Sequence, residues 1–200
     1  MVNTSVALFV FVVGFAVTFG LSMVAKYSSK RRLWTKAYIA DTMVPLISRN
    51  LTPKSTLRIV GADCRYLGEK AKWRQAMEDW MAKGCKVQYL IYKPHEKAVR
   101  VLKELGEKSC GAFCYKEMLA PEDVKDVDGD KELLAELETF HFIVADQPRQ
   151  IWIEGNHPVD KTEAYDCEFV PPSMAEHDPR FHEYKVVFDK VWNKYSRSMS

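Results

Sequence analysis

Residues 6–25, VALFVFVVGFAVTFGLSMVA, run for 20 positions without a charged side chain. A helix needs about 20 apolar residues to cross ~30 Å of hydrocarbon, so this stretch divides the chain before anything else can be read. Lys26, Lys30, Arg31, Arg32 and Lys36 follow at once, whereas residues 1–5 carry no charged side chain. The positive-inside rule then puts the N-terminus outside and everything after the run in the cytoplasm. A cleaved signal peptide fits less well, because its basic residues would precede an apolar core of about 7–15 residues. The expectation is a short tail at 1–5, a transmembrane helix at 6–25, a basic juxtamembrane and connecting segment at 26–53, and an α/β domain at 54–200.

The chain beyond the anchor is long enough to bury a core of its own. The net charge is only +2, and much of the basic excess sits beside the apolar run. Lys26, Lys30, Arg31 and Arg32 therefore point to anionic lipid head groups, and no basic stripe within the domain indicates nucleic acid. Five cysteines, Cys64, Cys85, Cys110, Cys114 and Cys167, are an odd number at irregular spacing. In a cytoplasmic domain they are expected to be reduced thiols.

Hydrophobic periodicity orders the rest. Residues 35–50 place Ile39, Met43, Leu46 and Ile47 near helical spacing, with Pro45 as an interruption. TLRIVGA (56–62) reads as a buried strand, residues 66–83 as a helix stopped by Gly84, KVQYLIY (86–92) as a strand and residues 95–108 as a helix. Strand and helix alternating twice imply parallel strands. GAFCYKEM (111–118) is a third strand, and a short helix is expected at 130–138. ETFHFIVADQPRQIWIEGN (138–156) reads as two strands around a turn at Asp146-Gln147-Pro148-Arg149. AYDCEFV (164–170) is a further strand. A final helix at 180–198 aligns Phe181, Tyr184, Val187, Phe188, Val191, Trp192 and Tyr195 on one face. The stripe Trp73, Met77, Trp80 and Met81 has two readings, a helix packed on the sheet or a face kept open for a partner.

This order, a βαβαβ unit, an antiparallel hairpin, another strand and a C-terminal helix, resembles one half of a phospholipase D-like domain over roughly residues 40–197. The local texture of LRIVGADCRYL, GCKVQYLIYKP and FHFIVADQPRQIWIEGN followed by YDCEFV carries the resemblance. In that family the signature is H-x-K-x-x-x-x-D followed by a G-S-x-N-like stretch. Histidine and lysine two apart on a strand share a face, one as nucleophile and one as phosphate clamp. With His141 as the motif histidine, Ile143 and Pro148 stand where lysine and aspartate belong. With Asp146 as the motif aspartate, Thr139 takes the histidine position and His141 the lysine position. The second register keeps the strand–turn–strand geometry and removes the nucleophile.

In that register the resemblance implies catalytic positions at Thr139, His141 and Asp146. It implies ligand-binding positions at Glu154 and Asn156, around the G-S-x-N-like stretch, and at Glu168. The implied protein is a catalytically degenerate, membrane-anchored binding or scaffolding unit, acting as a homodimer or with a protein partner through the 139–156 hairpin. The alternative is a phosphodiesterase using His141 and Asp146. A third reading is a sensor that binds a phosphorylated small molecule at the strand ends. No cofactor and no metal are implied: Cys110 and Cys114 with His141 lack zinc spacing, and EDVKDVDGD does not match a calcium loop.

Overall fold

The structure, a computed structural model, describes residues 31–34, 39–61, 71–125, 129–154 and 165–199. The apolar run at 6–25 lies outside them. Among the described residues no helix is long and apolar enough to cross a membrane. The chain divides into two compact units, Met1–Arg32 and Leu33–Ser200, and the fold is that of the second.

Among the described residues, eight strands and six α-helices succeed one another. They are β1 (Arg31–Trp34), α1 (Ile39–Ser48), β2 (Thr56–Gly61), α2 (Ala71–Ala82), β3 (Lys86–Ile91), α3 (Glu96–Lys108), β4 (Phe113–Met118), α4 (Asp130–Leu137), β5 (His141–Asp146), β6 (Gln150–Glu154), β7 (Tyr165–Val170), α5 (Pro172–Ala175), α6 (Pro179–Lys194) and β8 (Ser196–Ser198). A 3-10 turn at Pro121–Asp123 interrupts the segment after β4. The sheet order is β1-β7-β6-β5-β2-β3-β4-β8. As the alternation implied, β2, β3 and β4 are parallel neighbours. The hairpin β5–β6 is antiparallel and joins the parallel part through β2, while β7 extends it on the other side.

The helices cover both faces. Met43 and Ile47 of α1, Trp73, Met77 and Trp80 of α2, and Val101, Leu102 and Leu105 of α3 pack on one face over Leu57, Ile59, Val87, Ile143 and Trp152. Leu134 and Leu137 of α4, Ala175 of α5, and Phe181, Phe188 and Val191 of α6 pack on the other over Val60, Leu90, Phe142, Val144 and Ile151. Trp73 and Trp80 meet edge to face at 5.5 Å, and the Trp80 indole donates to Ser48 Oγ at 2.6 Å. The aromatic–methionine stripe is thus core, and the open-face reading of it is set aside. The apolar face expected on the last helix is buried against the sheet, with Tyr184, Val187, Trp192 and Tyr195 partly covered.

Three elements differ from expectation. The last helix stops at Lys194, and Ser196–Ser198 pairs antiparallel with β4. Residues 172–175 form an additional short helix, and Arg31–Trp34 in the basic flank forms a strand. Neither β8 nor β1 has the alternating apolar pattern that would reveal a strand, since an edge strand can be dictated by the neighbour it pairs with.

Candidate functional site

Strand parity decides which of the sequence-derived residues can meet. Successive side chains on a strand point to opposite faces, and residues directly opposite across a ladder share one. His141 opens β5 opposite Glu154, which closes β6, and Glu154 in turn stands opposite Cys167 on β7. Phe142 pairs with Val60, so this row lies at the end of the sheet where the parallel strands β2 and β3 terminate. His141 and Glu154 are close: Nδ1 lies 3.8 Å from the Glu154 carboxylate, with side chains 10% and 17% exposed. The other carboxylate oxygen accepts the Trp152 indole N–H at 3.2 Å. Trp152 is buried in the core, so Glu154 is held from beneath.

Gly61 explains how a neighbouring strand reaches toward this row. A Cβ at Gly61 would sit 3.0 Å from the Tyr89 hydroxyl and 3.1 Å from its ring. A glycine inside a strand often marks such a close approach. Tyr89 therefore crosses β2 from β3 on the face that His141 shares with Ile143 and Ala145.

The remaining candidates lie elsewhere. Asp146 is five residues along β5 from His141, which places it on the opposite face and at the opposite end. Its carboxylate accepts the Thr56 N–H at 2.9 Å and the Arg58 guanidinium at 3.0 Å, while Arg58 also reaches Asp189 at 3.3 Å. Asp146 is accordingly not placed beside His141, and the carboxylate that stands there is Glu154. Thr139 precedes the strand. It is exposed in the turn after α4, and its hydroxyl donates to the Glu136 carbonyl at 3.3 Å. Glu168 shares a face with Ile153 rather than with Glu154, and Arg180 takes both its oxygens at 2.9 and 3.0 Å. Asp178 and Glu168 together push the Arg180 guanidinium well above its ordinary range, so the charge there is permanent. Asn156 lies outside the described residues.

The chemistry available to this arrangement is narrow. His141 and Glu154 set an imidazole beside a carboxylate at the strand ends, with Nδ1 3.8 Å from the nearer oxygen. Among the described residues neither Lys nor Arg stands at the register positions around it. Among the described residues no group of three His, Cys, Asp or Glu side chains is placed to hold a metal ion. Cys110 and Cys114 are exposed near the start of β4, away from the strand end that carries His141. Sequence reasoning missed Trp152 as the support of Glu154, Arg180 as the partner of Glu168, and the Gly61–Tyr89 contact. Only Gly61, a glycine ending an apolar run, left a visible signal.

No family model matches the chain, and no curated protein matches it. Among solved structures it is similar to TrmBL2, an archaeal chromatin protein with a novel mode of DNA binding. That likeness has a TM-score of 0.53 at 9% identity and covers 98% of this chain and 66% of that one. It is also similar to Nuc, a phospholipase D family member from Salmonella typhimurium, with a TM-score of 0.48 at 11% identity over 84% of this chain and 97% of that one. At 9% identity the likeness to TrmBL2 concerns the fold alone. The mixed α/β sheet, with β2, β3 and β4 parallel and the β5–β6 hairpin antiparallel, follows the element order read from the sequence.

Proposed function

We propose that this chain is a membrane-anchored binding or scaffolding protein built on a phospholipase D-like half-domain that has lost its phosphodiester chemistry. The observation that supports this is the dispersal of the motif. The Thr139 hydroxyl is engaged by a helix end, Asp146 is clamped by Arg58 on the other face, and His141 is paired with Glu154. Along β5 the residues that share the His141 face are Ile143 and Ala145, and neither is the lysine of the motif. Residues 6–25 would hold the protein in a bilayer with the N-terminus outside and the domain in the cytoplasm. Lys26, Lys30, Arg31 and Arg32 would meet anionic head groups. A second copy or a different protein would complete the assembly. Both faces of the hairpin are covered by this chain's own helices, so such a partner would meet its rims rather than its faces.

The test is turnover of bis(p-nitrophenyl) phosphate by the purified full chain in detergent, beside His141→Ala and Glu154→Gln. The expected outcome is a rate equal to that of buffer for all three. A second reading rests on the His141–Glu154 pair, which could serve a phosphodiesterase with the imidazole as nucleophile or base. Turnover by the unaltered chain that His141→Ala abolishes would establish that reading and overturn the first.

A further inference from the structure

Two segments far apart in sequence meet at the end of the sheet opposite His141. The turn after α1, residues 49–55, carries Arg49 and Lys54. The connection from α2 to β3 carries Lys83 and Lys86 at the start of that strand. Their contacts are specific. Lys86 N–H donates to the Ser55 carbonyl at 2.9 Å, and the Cys85 thiol donates to the Thr52 carbonyl at 3.2 Å. The Lys83 ammonium donates to the Ser48 carbonyl at 3.2 Å. Gly84, at φ +88°, lies so close to Pro53 that a Cβ would meet the proline ring at 3.3 Å. Thr56 and Lys86 are neighbours across the β2–β3 ladder. Four cations from two loops thereby share one surface, and all four are exposed.

That surface is electrostatically one-sided. Residues 48–56 and 83–88 contain no Asp or Glu. The nearest carboxylate on the ladder, Asp146, is paired with the Arg58 guanidinium. That leaves Asp79, bonded by Gln75 at 2.9 Å and four residues before Lys83, as the acidic side chain at the α2 end. The Arg74 guanidinium, also on α2, is by contrast neutralised by Glu78 and Glu104. Lys83 helps to close the C-terminus of α1, where a cation meets the negative end of the helix dipole. Arg49, Lys54 and Lys86 have no such structural task among the described residues.

We infer that Arg49, Lys54, Lys83 and Lys86 form a docking surface for anionic phospholipid head groups, which seats the domain on the membrane that anchors it. This rests on the anchored reading above. Arg49 is only 17 positions beyond Arg32 in the sequence, so this surface follows the basic flank closely along the chain. Its composition favours lipid over nucleic acid. Proteins that hold single strands stack bases on aromatic rings, and neither segment has one. A cluster of exposed ammonium and guanidinium groups beside Thr52 and Pro53 suits a layer of phosphates, where each cation strengthens association about fivefold. This adds a second, folded contact to the flank at Lys26–Arg32.

The experiment is hydrogen–deuterium exchange on the full chain in lipid nanodiscs of phosphatidylcholine alone or with phosphatidylserine added. Peptides covering 49–56 and 83–88 should exchange more slowly with phosphatidylserine, while α3 stays unchanged. Lys54→Glu with Lys86→Glu should remove the difference, and so should high salt. Equal exchange in both discs overturns the proposal. Protection by a duplex oligonucleotide or by polyglutamate, without protection by phosphatidylserine, also overturns it in favour of nucleic acid or an acidic protein. Alkaline carbonate extraction separately reports the anchor. A chain stripped from the bilayer sinks the anchored reading, and the docking surface is then judged by the same exchange comparison with vesicles added from outside.

Discussion

Asp146 commits both carboxylate oxygens to the base of the sheet, one to the Thr56 N–H and one to Arg58. Arg58 is mostly buried, so removing its partner leaves a charge with only Asp189 to meet it. Hydrogen bonds to charged groups contribute about 1.5–3 kcal/mol. Asp146→Ala should therefore lower Tm by roughly 3–12 °C, read by circular dichroism, with no effect on the pairing of His141 with Glu154. A variant with unchanged Tm would mean that the clamp contributes nothing. This residue also shows what the motif concealed. The separation of His141 and Asp146 is an odd number, so strand parity alone assigns them to opposite faces once the strand is granted. The carboxylate that does face His141, Glu154, was identifiable as a polar residue ending β6. Its pairing became visible only through the ladder register.

At the scale of elements, α4 and α6 are joined by Asp130, which is buried and bound by Lys190 and the Tyr195 hydroxyl. Lys190 and Tyr195 hold the Asp130 carboxyl below its ordinary value. A depressed carboxylate stabilises the fold above its unfolded pKa, near 4, and loses that contribution as pH falls through the lower folded value. Asp130→Asn should thus melt below the unaltered chain at pH 7, and the two curves should converge below about pH 4. Curves that stay apart in acid would show that charge is irrelevant to this junction. The elements themselves were readable wherever a buried face imposes a period. β2, α2, β3, α3 and β4 follow their apolar spacing, and the helix face from Phe181 to Tyr195 is the face that packs. β8 was unreadable because Ser196, Arg197 and Ser198 contain nothing apolar. The strand there is set by the edge of β4 through Met118 and Lys116. Thr139 was misplaced for a related reason. Its N–H and that of Phe140 donate back to Glu136, which prolongs the helix end and delays the strand to His141. The basic surface had no linear signal at all, since Arg49–Lys54 and Lys83–Lys86 meet only after β2 and β3 pair.

At the scale of the whole molecule, assembly and orientation are separate questions with separate measurements. Leu33–Ser200 is a compact unit by itself. Light scattering on it at tens of micromolar should give twice the monomer mass if a second copy is the partner, and a strictly monomeric mass would leave a different protein in that role. Orientation can be read from thiols already present. Cys110 and Cys114 are exposed, whereas Cys85 and Cys167 are buried, and burial pushes the Cys85 thiol above its ordinary value, which further slows its reaction. With Cys64 replaced by serine, a membrane-impermeant maleimide has two accessible targets on the folded domain. If residues 6–25 cross the bilayer with the basic flank inside, intact cells should show no labelling and permeabilised cells should show two labels. Cys110→Ser with Cys114→Ser should remove both, and denaturant should then uncover the buried pair. Labelling of intact cells would put the domain outside. That outcome would also remove the inner-leaflet lipids as the counterpart of Arg49, Lys54, Lys83 and Lys86, because the anionic surface potential belongs to the cytoplasmic leaflet.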